Sequence, residues 1–218
     1  MWRGNPIEWR VLDTSDGNVL LISKDILALR QYDSLERWLG KGWYRIEDIP
    51  WEKVKLTWAV SEIRNWLNND FLNEAFSVDE QNSIILSTIS NPDNEEYGTD
   101  GGPDTKDKVF LLSIDEAERF FHGDDDRIAE FEMTKEDYEY MLPLFKEQFD
   151  YTSFAQAERS IRDRIGNKDP YPWRLRSPGL SGAATAWVNA PGDIINSYSE
   201  VGPENFIGIR PALWLRNG

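Results

Sequence analysis

The sequence predicts an α+β fold in one domain, with strands at both ends, two or more helices between them, and the two ends paired in a mixed or antiparallel sheet. Three observations lead there. The apolar period runs at 2 near the start, at 3.6 through the middle, and at 2 again after about residue 165. Seven of the ten tryptophans fall by residue 66 and three at Trp173, Trp187 and Trp214, with none between 67 and 172. Indoles bring large apolar area to a core, so their segregation predicts that the two ends share one interior. The charge divides the same way: residues 61–150 hold 24 acids against 7 bases, whereas residues 151–218 hold 6 against 8. An acidic middle laid over a core closed by the termini accounts for both patterns.

The elements follow in order. Ile7–Leu12 alternates apolar and polar residues, and Val19–Ser23 reads as a more buried strand; with Asp13–Asn18 as a long turn they form a hairpin. Residues 33–56, carrying Gly40, Gly42 and Pro50, read as an irregular aromatic-rich loop. Ser61 is an N-cap for a helix whose apolar face holds Ile63, Trp66, Leu67, Phe71, Leu72, Ala75 and Phe76. Ser77-Val78-Asp79-Glu80 is a capping box for a second helix with Ile84 and Ile85 on its apolar side. A loop over 91–107 leads to a buried strand at Val109–Leu112. Ser113-Ile114-Asp115-Glu116 is another capping box, for a helix turning Ala117, Phe120 and Phe121 inward. Asp124–Asp126 reads as loop, and Thr134–Phe149 as a helix that Pro143 should kink or break. Strands are expected at Trp173–Arg176, Ala184–Asn189 and Phe206–Leu215, divided by Ser177-Pro178-Gly179 and Ala190-Pro191-Gly192-Asp193.

Composition excludes several chemistries. The chain of 218 residues has no cysteine, which removes disulfides, thiolate nucleophiles and Cys-based metal sites, and one histidine, His122, which removes a multi-His centre within one chain. A net charge of −15 repels phosphate backbones, so nucleic acid is not an expected partner; it also serves solubility. No apolar run approaches the ~20 residues of a membrane helix. Met1–Pro6 lacks the apolar stretch of a signal peptide, as expected of a cytoplasmic protein or an excised domain. No Gly-rich phosphate loop follows a strand, and no two of the 39 acids stand out as a hydrolytic pair.

Several motifs occur together in one order. They are Pro6-Ile7-Glu8-Trp9-Arg10-Val11-Leu12, Leu21-Ile22-Ser23-Lys24, Thr57-Trp58, Ser61 with Ile63-Arg64 and Trp66-Leu67-Asn68, and Phe71 with Ala75-Phe76. Gly101-Gly102, Asp104-Thr105 and Asp107–Ser113 follow, then Leu175-Arg176-Ser177-Pro178-Gly179 and Arg210-Pro211-Ala212-Leu213-Trp214. In these the chain resembles a bacterial family known as domain of unknown function 6273, over nearly its whole length. Residues 127–172 are longer and more charged than the family pattern and read as a divergent helical insert. The resemblance implies a C-type-lectin-like domain, the scaffold of formylglycine-generating enzymes and of variable binding proteins, with paired terminal strands, two flanking helices and long loops that build a binding face. It implies no activity, and the cysteine chemistry of formylglycine-generating enzymes has no cysteine here to use.

Candidate sites carry two readings each. Trp173, Arg174, Arg176, Trp187, Asn189 and Arg210 could form a Trp–Arg face for stacking on sugars or pairing with carboxylates. Alternatively, Arg176 and Arg210 are partly buried, meeting acids of the middle segment or capping carbonyls. Trp187-Val188-Asn189 is weakly similar to the Trp-Asn-Asp calcium motif of true lectins. Asp93, Asn94, Asp100, Asp104 and Asp107 offer oxygens suited to calcium, without EF-hand spacing; the alternative is that Asp104 and Asp107 close turns by accepting backbone N–H bonds. The expected function is a non-enzymatic binding or interaction module for a protein or a glycan, with its variable surface in loops 177–205. The alternatives are a hydrolase with a carboxylate pair in a cleft, and a purely structural accessory domain.

Overall fold

The opening hairpin forms as the alternation predicts, in a computed structural model that describes residues 1–40, 53–148, 158–159, 161–197 and 207–216. Strands β1 (Trp9–Ser15) and β2 (Asn18–Ser23) pair antiparallel, with a bulge between Val11 and Asp13. Only Asp16 and Gly17 turn, at φ 52° and 74°. Positive φ at both central residues matches the right-handed strand twist. The turn is therefore shorter than the expected six residues, because the polar residues Asp13–Ser15 remain in an edge strand whose outer face is wet.

After β3 (Ala28–Arg30), a short helix α1 (Leu35–Leu39) occupies part of the stretch expected to be irregular; residues 41–52 of that stretch lie outside the described residues. Ser61 caps the main helix by accepting from Arg64 N–H. Helix α2 (Glu62–Trp66) passes through a π turn at Leu67–Phe71 into α3 (Leu72–Ala75). Ile63, Leu67, Phe71 and Ala75 are all buried at a spacing of four. Such a row drifts by about 40° per step on a regular helix; the wider turn keeps it on one face. Ser77 and Glu80 make the predicted capping box of α4 (Val78–Ser83), but no residue of α4 is buried. Ile84 lies just past the helix, buried in a bridge to Leu215.

Strands β4 (Ser87–Ile89) and β5 (Thr105–Asp107) pair antiparallel and pinch the loop between them. Val109–Leu112 is buried as expected but joins no sheet; Phe110 alone exchanges two backbone bonds with Ala212, at 2.9 and 2.7 Å. Ser113 and Glu116 cap α5 (Ile114–Phe120), which turns Ala117 inward. Asp124–Arg127 forms a single helical turn, α6, rather than a loop. Beyond β6 (Glu130–Glu132), helix α7 (Lys135–Gln148) runs through Pro143 instead of stopping there. The carbonyl released by proline belongs to Glu139, which is exposed and can bond water. Strand β7 (Lys168–Pro170) returns to pair with β6, tying together the ends of the expected insert.

The remaining strands are β8 (Trp173–Pro178), β9 (Thr185–Val188), β10 (Ile194–Ile195), β11 (Ile207–Ile209) and β12 (Ala212–Arg216). The single strand expected over 206–215 is two strands in two sheets, divided at Arg210-Pro211. One sheet has the order β1-β2-β12 and the other β10-β9-β8-β11-β3. Because β12 pairs antiparallel with β2 and β11 antiparallel with β3, the two termini form one long ribbon that bends between the sheets. At the bend, Ser23 N–H donates to Pro211 O (2.9 Å) and Leu27 N–H to Ile209 O (3.0 Å). Trp2, Trp58 and Trp173 are buried in one apolar cluster, against which Trp9, Trp38, Trp66 and Trp214 pack. Indoles from both ends thus share an interior. Among the described residues no helix is long and apolar enough to cross a membrane.

Candidate functional site

The Trp–Arg motifs lie inside the fold. Strand β8 is buried along its length because it is flanked on both sides in its sheet. Trp173 donates its indole N–H to Arg127 O (3.0 Å). Arg174 has its guanidinium 5.8 Å from the Tyr32 ring and donates to the Thr185 hydroxyl (2.6 Å). Burial lowers its pKa to about 10 and raises that of the Tyr32 phenol. Arg176 donates to Leu111 O (2.8 Å), to Ser90 O (3.0 Å) and to both oxygens of Glu116. Arg210, at the ribbon's bend, donates from Nε to Ser23 O (2.8 Å) between the rings of Trp173 and Phe121, at 5.1 and 5.3 Å. Burial lowers it also to about 10. These four side chains do not form a solvent-facing surface as an exposed stacking face requires, since their partners enclose them. For Arg176 the structural alternative describes what is present: a carbonyl cap and a middle-segment acid. Trp187 is half-buried on β9, and Asn189 closes a turn with Asp193 (2.9 and 2.8 Å).

The acidic loop is held by its own backbone. Asp93 accepts from Gly101 N–H (3.0 Å), Asp100 from Gly102 N–H (2.8 Å) and Asp104 from Asn91 N–H (3.3 Å). Asn94 accepts from the amides of Glu96 and Tyr97. Asp107 is buried away from these, accepting from Trp58 Nε1 (2.9 Å), Arg64 Nε (2.7 Å) and the Thr105 hydroxyl (2.6 Å). Among the described residues no three His, Asp or Glu side chains are grouped to hold a metal ion. Close packing fixes the loop further, since a Cβ at Gly101 would collide with the carbonyls of Asn91 and Pro92.

Three loops are knitted into one platform. Leu56 N–H donates to Gly182 O (2.7 Å), Asn94 Nδ2 to Pro178 O (2.8 Å), and Asn196 Nδ2 to Glu96 (2.8 Å). Between them opens a cleft of about 520 Å³, lined by Val54–Thr57, Thr99, Asp100, Ser181 and Gly182. Val54 and Leu56 are buried beneath it, and Lys55, Thr57, Thr99, Asp100 and Ser181 line it with exposed or half-buried polar side chains. The sequence singles out Asp100, as a calcium candidate, and puts Ser181 and Gly182 in the variable loops, but does not mark Val54–Thr57 or Thr99 as site residues. For Val54–Thr57 the signal was the period-2 run Val54-Lys55-Leu56-Thr57, at the end of a stretch rich in charged and aromatic residues. A second cleft, of about 560 Å³, lies over the start of α2. Its charged groups are engaged within the protein: Glu62 accepts from Ser34 (2.9 Å), and Arg64 holds Asp107.

Two titratable groups, His122 and Asp33, bear on any catalytic reading. His122 is exposed, and its backbone N–H caps Asp126. Asp33 is pushed up to about 6, chiefly by burial and by the nearby Glu62, against the opposing pull of Arg37. Its oxygens are occupied by Ser34 N–H, Arg37 and Trp38 (2.9, 3.2 and 3.3 Å), and its side chain is enclosed. A raised carboxyl without an open face cannot meet a substrate.

No curated protein and no solved structure matches the chain. Residues 16–217 match the family described as Domain of unknown function (DUF6273). The matched span runs from the first turn through the last strand, so it takes in both strands of the terminal ribbon and all three loops of the platform. By that match the chain belongs to the DUF6273 family.

Proposed function

We propose that this domain is a C-type-lectin-like binding module that holds a protein or glycan ligand in the cleft between Val54–Thr57, Thr99–Asp100 and Ser181–Gly182. The observation that carries the reading is the cross-bonded platform: three loops distant in sequence fix a polar-lined cleft over the buried side chains of Val54 and Leu56. Such concave, preformed sites suit recognition. The paired terminal strands and the flanking helix support the lectin-like assignment. Hydrolysis by a carboxylate pair would need two acids in the cleft, and the described lining supplies one, Asp100.

Thr99→Trp tests the site. Thr99 is half-buried at the rim, so an indole there fills the cleft without replacing a core residue. Screening the wild-type chain on glycan and peptide arrays should yield a ligand whose binding falls at least tenfold in the variant, with the melting temperature retained. Ligands that bind both chains equally would place recognition elsewhere and overturn the reading.

A further inference from the structure

We infer that the ligand is a peptide segment bearing one acidic and one basic side chain a few residues apart, its carboxylate meeting Lys55 and its cation meeting Asp100. This rests on the proposed binding cleft and specifies its occupant. Lys55 and Asp100 are the two charged groups of the described lining, and packing brings them there from different segments. Val54 and Leu56 are buried, whereas Lys55 is exposed and Thr57 half-buried, an alternation of period 2. Thr57 is where this segment meets loop 91–104, since a Cβ at Gly102 would lie 2.8 Å from the Thr57 side chain. Lys55 stands two residues before that contact on one segment, and Asp100 two residues before it on the other. Both are exposed.

Neither charge is cancelled by its surroundings. Asp100 accepts from Gly102 N–H through Oδ1 (2.8 Å), and among the described residues Oδ2 has no partner. Among the described residues Lys55 forms no ion pair, with Asp100 or with any other acid. The lining therefore presents one cation and one anion to whatever enters.

That pairing selects the ligand's charges. A dibasic ligand sets one cation against Lys55. A diacidic ligand sets one carboxylate against Asp100 and brings negative charge to a chain of net charge −15. An uncharged ligand covers both groups and gives neither a partner in place of water. One acid and one base together complement both. A peptide fits better than a glycan, because the described lining has no aromatic ring for a sugar to stack on. Its hydroxyls, at Thr57, Thr99 and Ser181, can each donate or accept, as the two polar groups of a peptide main chain require. A cleft of about 520 Å³ has the size of a small-ligand site and takes a few residues of chain.

The experiment is an array of heptapeptides, each about 23 Å long when extended, that carry an acid with a base, two acids, two bases or no charge at every pair of positions. A glycan array is run in parallel, and Thr99→Trp is the control on both. Acid-with-base peptides should bind the wild type at least fivefold more tightly than the other three classes. Lys55→Glu should weaken the best of them at least fivefold, and replacing that peptide's acid by Lys should restore its binding to the variant. Asp100→Asn, which keeps the acceptor for Gly102 N–H, should remove the preference for the peptide's base. Dibasic, diacidic or uncharged peptides that bind the wild type as tightly overturn the inference, as does an acid-with-base peptide that Lys55→Glu leaves unaffected. A Thr99-dependent glycan without any Thr99-dependent peptide overturns it too, yet leaves the binding cleft standing. Failure of both arrays to give a Thr99-dependent ligand overturns the cleft as well.

Discussion

Arg176 is a charge made interior by its acceptors. It joins carbonyls from two other segments and the carboxylate of Glu116, 60 residues away in sequence. Removing one member of a buried, hydrogen-bonded charge network leaves the others unsatisfied, at ~3–5 kcal/mol. Arg176→Met is expected to lose stability in that range, read by urea denaturation. Asp33 makes a pH-dependent contribution of the opposite kind to a paired carboxylate. Its folded pKa of about 6 lies above the 3.8 of a free aspartate, so the folded state binds more protons between those values. Its contribution to stability is full below about pH 4 and is lost as pH rises through 6. The stability of the wild type minus that of Asp33→Asn should therefore be larger at pH 4.5 than at pH 7; equal differences would show that Asp33 titrates normally. The sequence identified Arg174, Arg176 and Arg210 as distinctive but left their roles open. Whether an arginine faces water or a carbonyl depends on residues that local spacing does not reach.

At the scale of elements, the capping boxes were readable because all of their atoms lie within four residues. Ser77→Ala should cost about 1 kcal/mol, the ordinary value for a lost N-cap. Ser113→Ala should cost about 2 kcal/mol, since Ser113 is buried and the Glu116 carboxylate that completes its box also holds Arg176. Thermal or urea unfolding of the two variants checks the order, and equal losses would separate the cap from the arginine network. Val109–Leu112 was less readable. Its apolar run correctly predicts burial, but burial does not make a strand; a strand needs a partner edge, and Ala212 supplies one contact rather than a ladder. The strand expected over 206–215 fails for a complementary reason: Pro211 has no N–H, and the chain changes sheet there.

Across the whole molecule, the ribbon of β2–β3 with β11–β12 closes the fold. Arg210 donates to Ser23 across 187 residues of sequence. Contacts of such separation must overcome a large loop entropy before they stabilise anything, so the closing strands belong to the cooperative unit rather than decorating it. Deleting residues 207–218 is expected to abolish the sigmoidal unfolding transition; a truncated chain that still unfolds cooperatively would make β11 and β12 accessory. The tryptophan distribution agrees with this closure: Trp2 and Trp58 from one end share a buried cluster with Trp173 from the other, and Trp214 packs against it.

The sequence by itself determined the alternation of strand and helix, the helix starts at Ser61, Ser77 and Ser113, the acidic middle and the meeting of the ends. Those follow from period, caps and bulk composition, which act over a few residues or over the whole chain at once. Tertiary structure alone decided that Arg174, Arg176 and Arg210 are interior, that the closing strand divides between two sheets, and that Val54–Thr57 forms the edge of a cleft. The reason is pairing: burial of a charge and the lining of a cleft are properties of which distant segments meet, and no run of neighbouring residues encodes them.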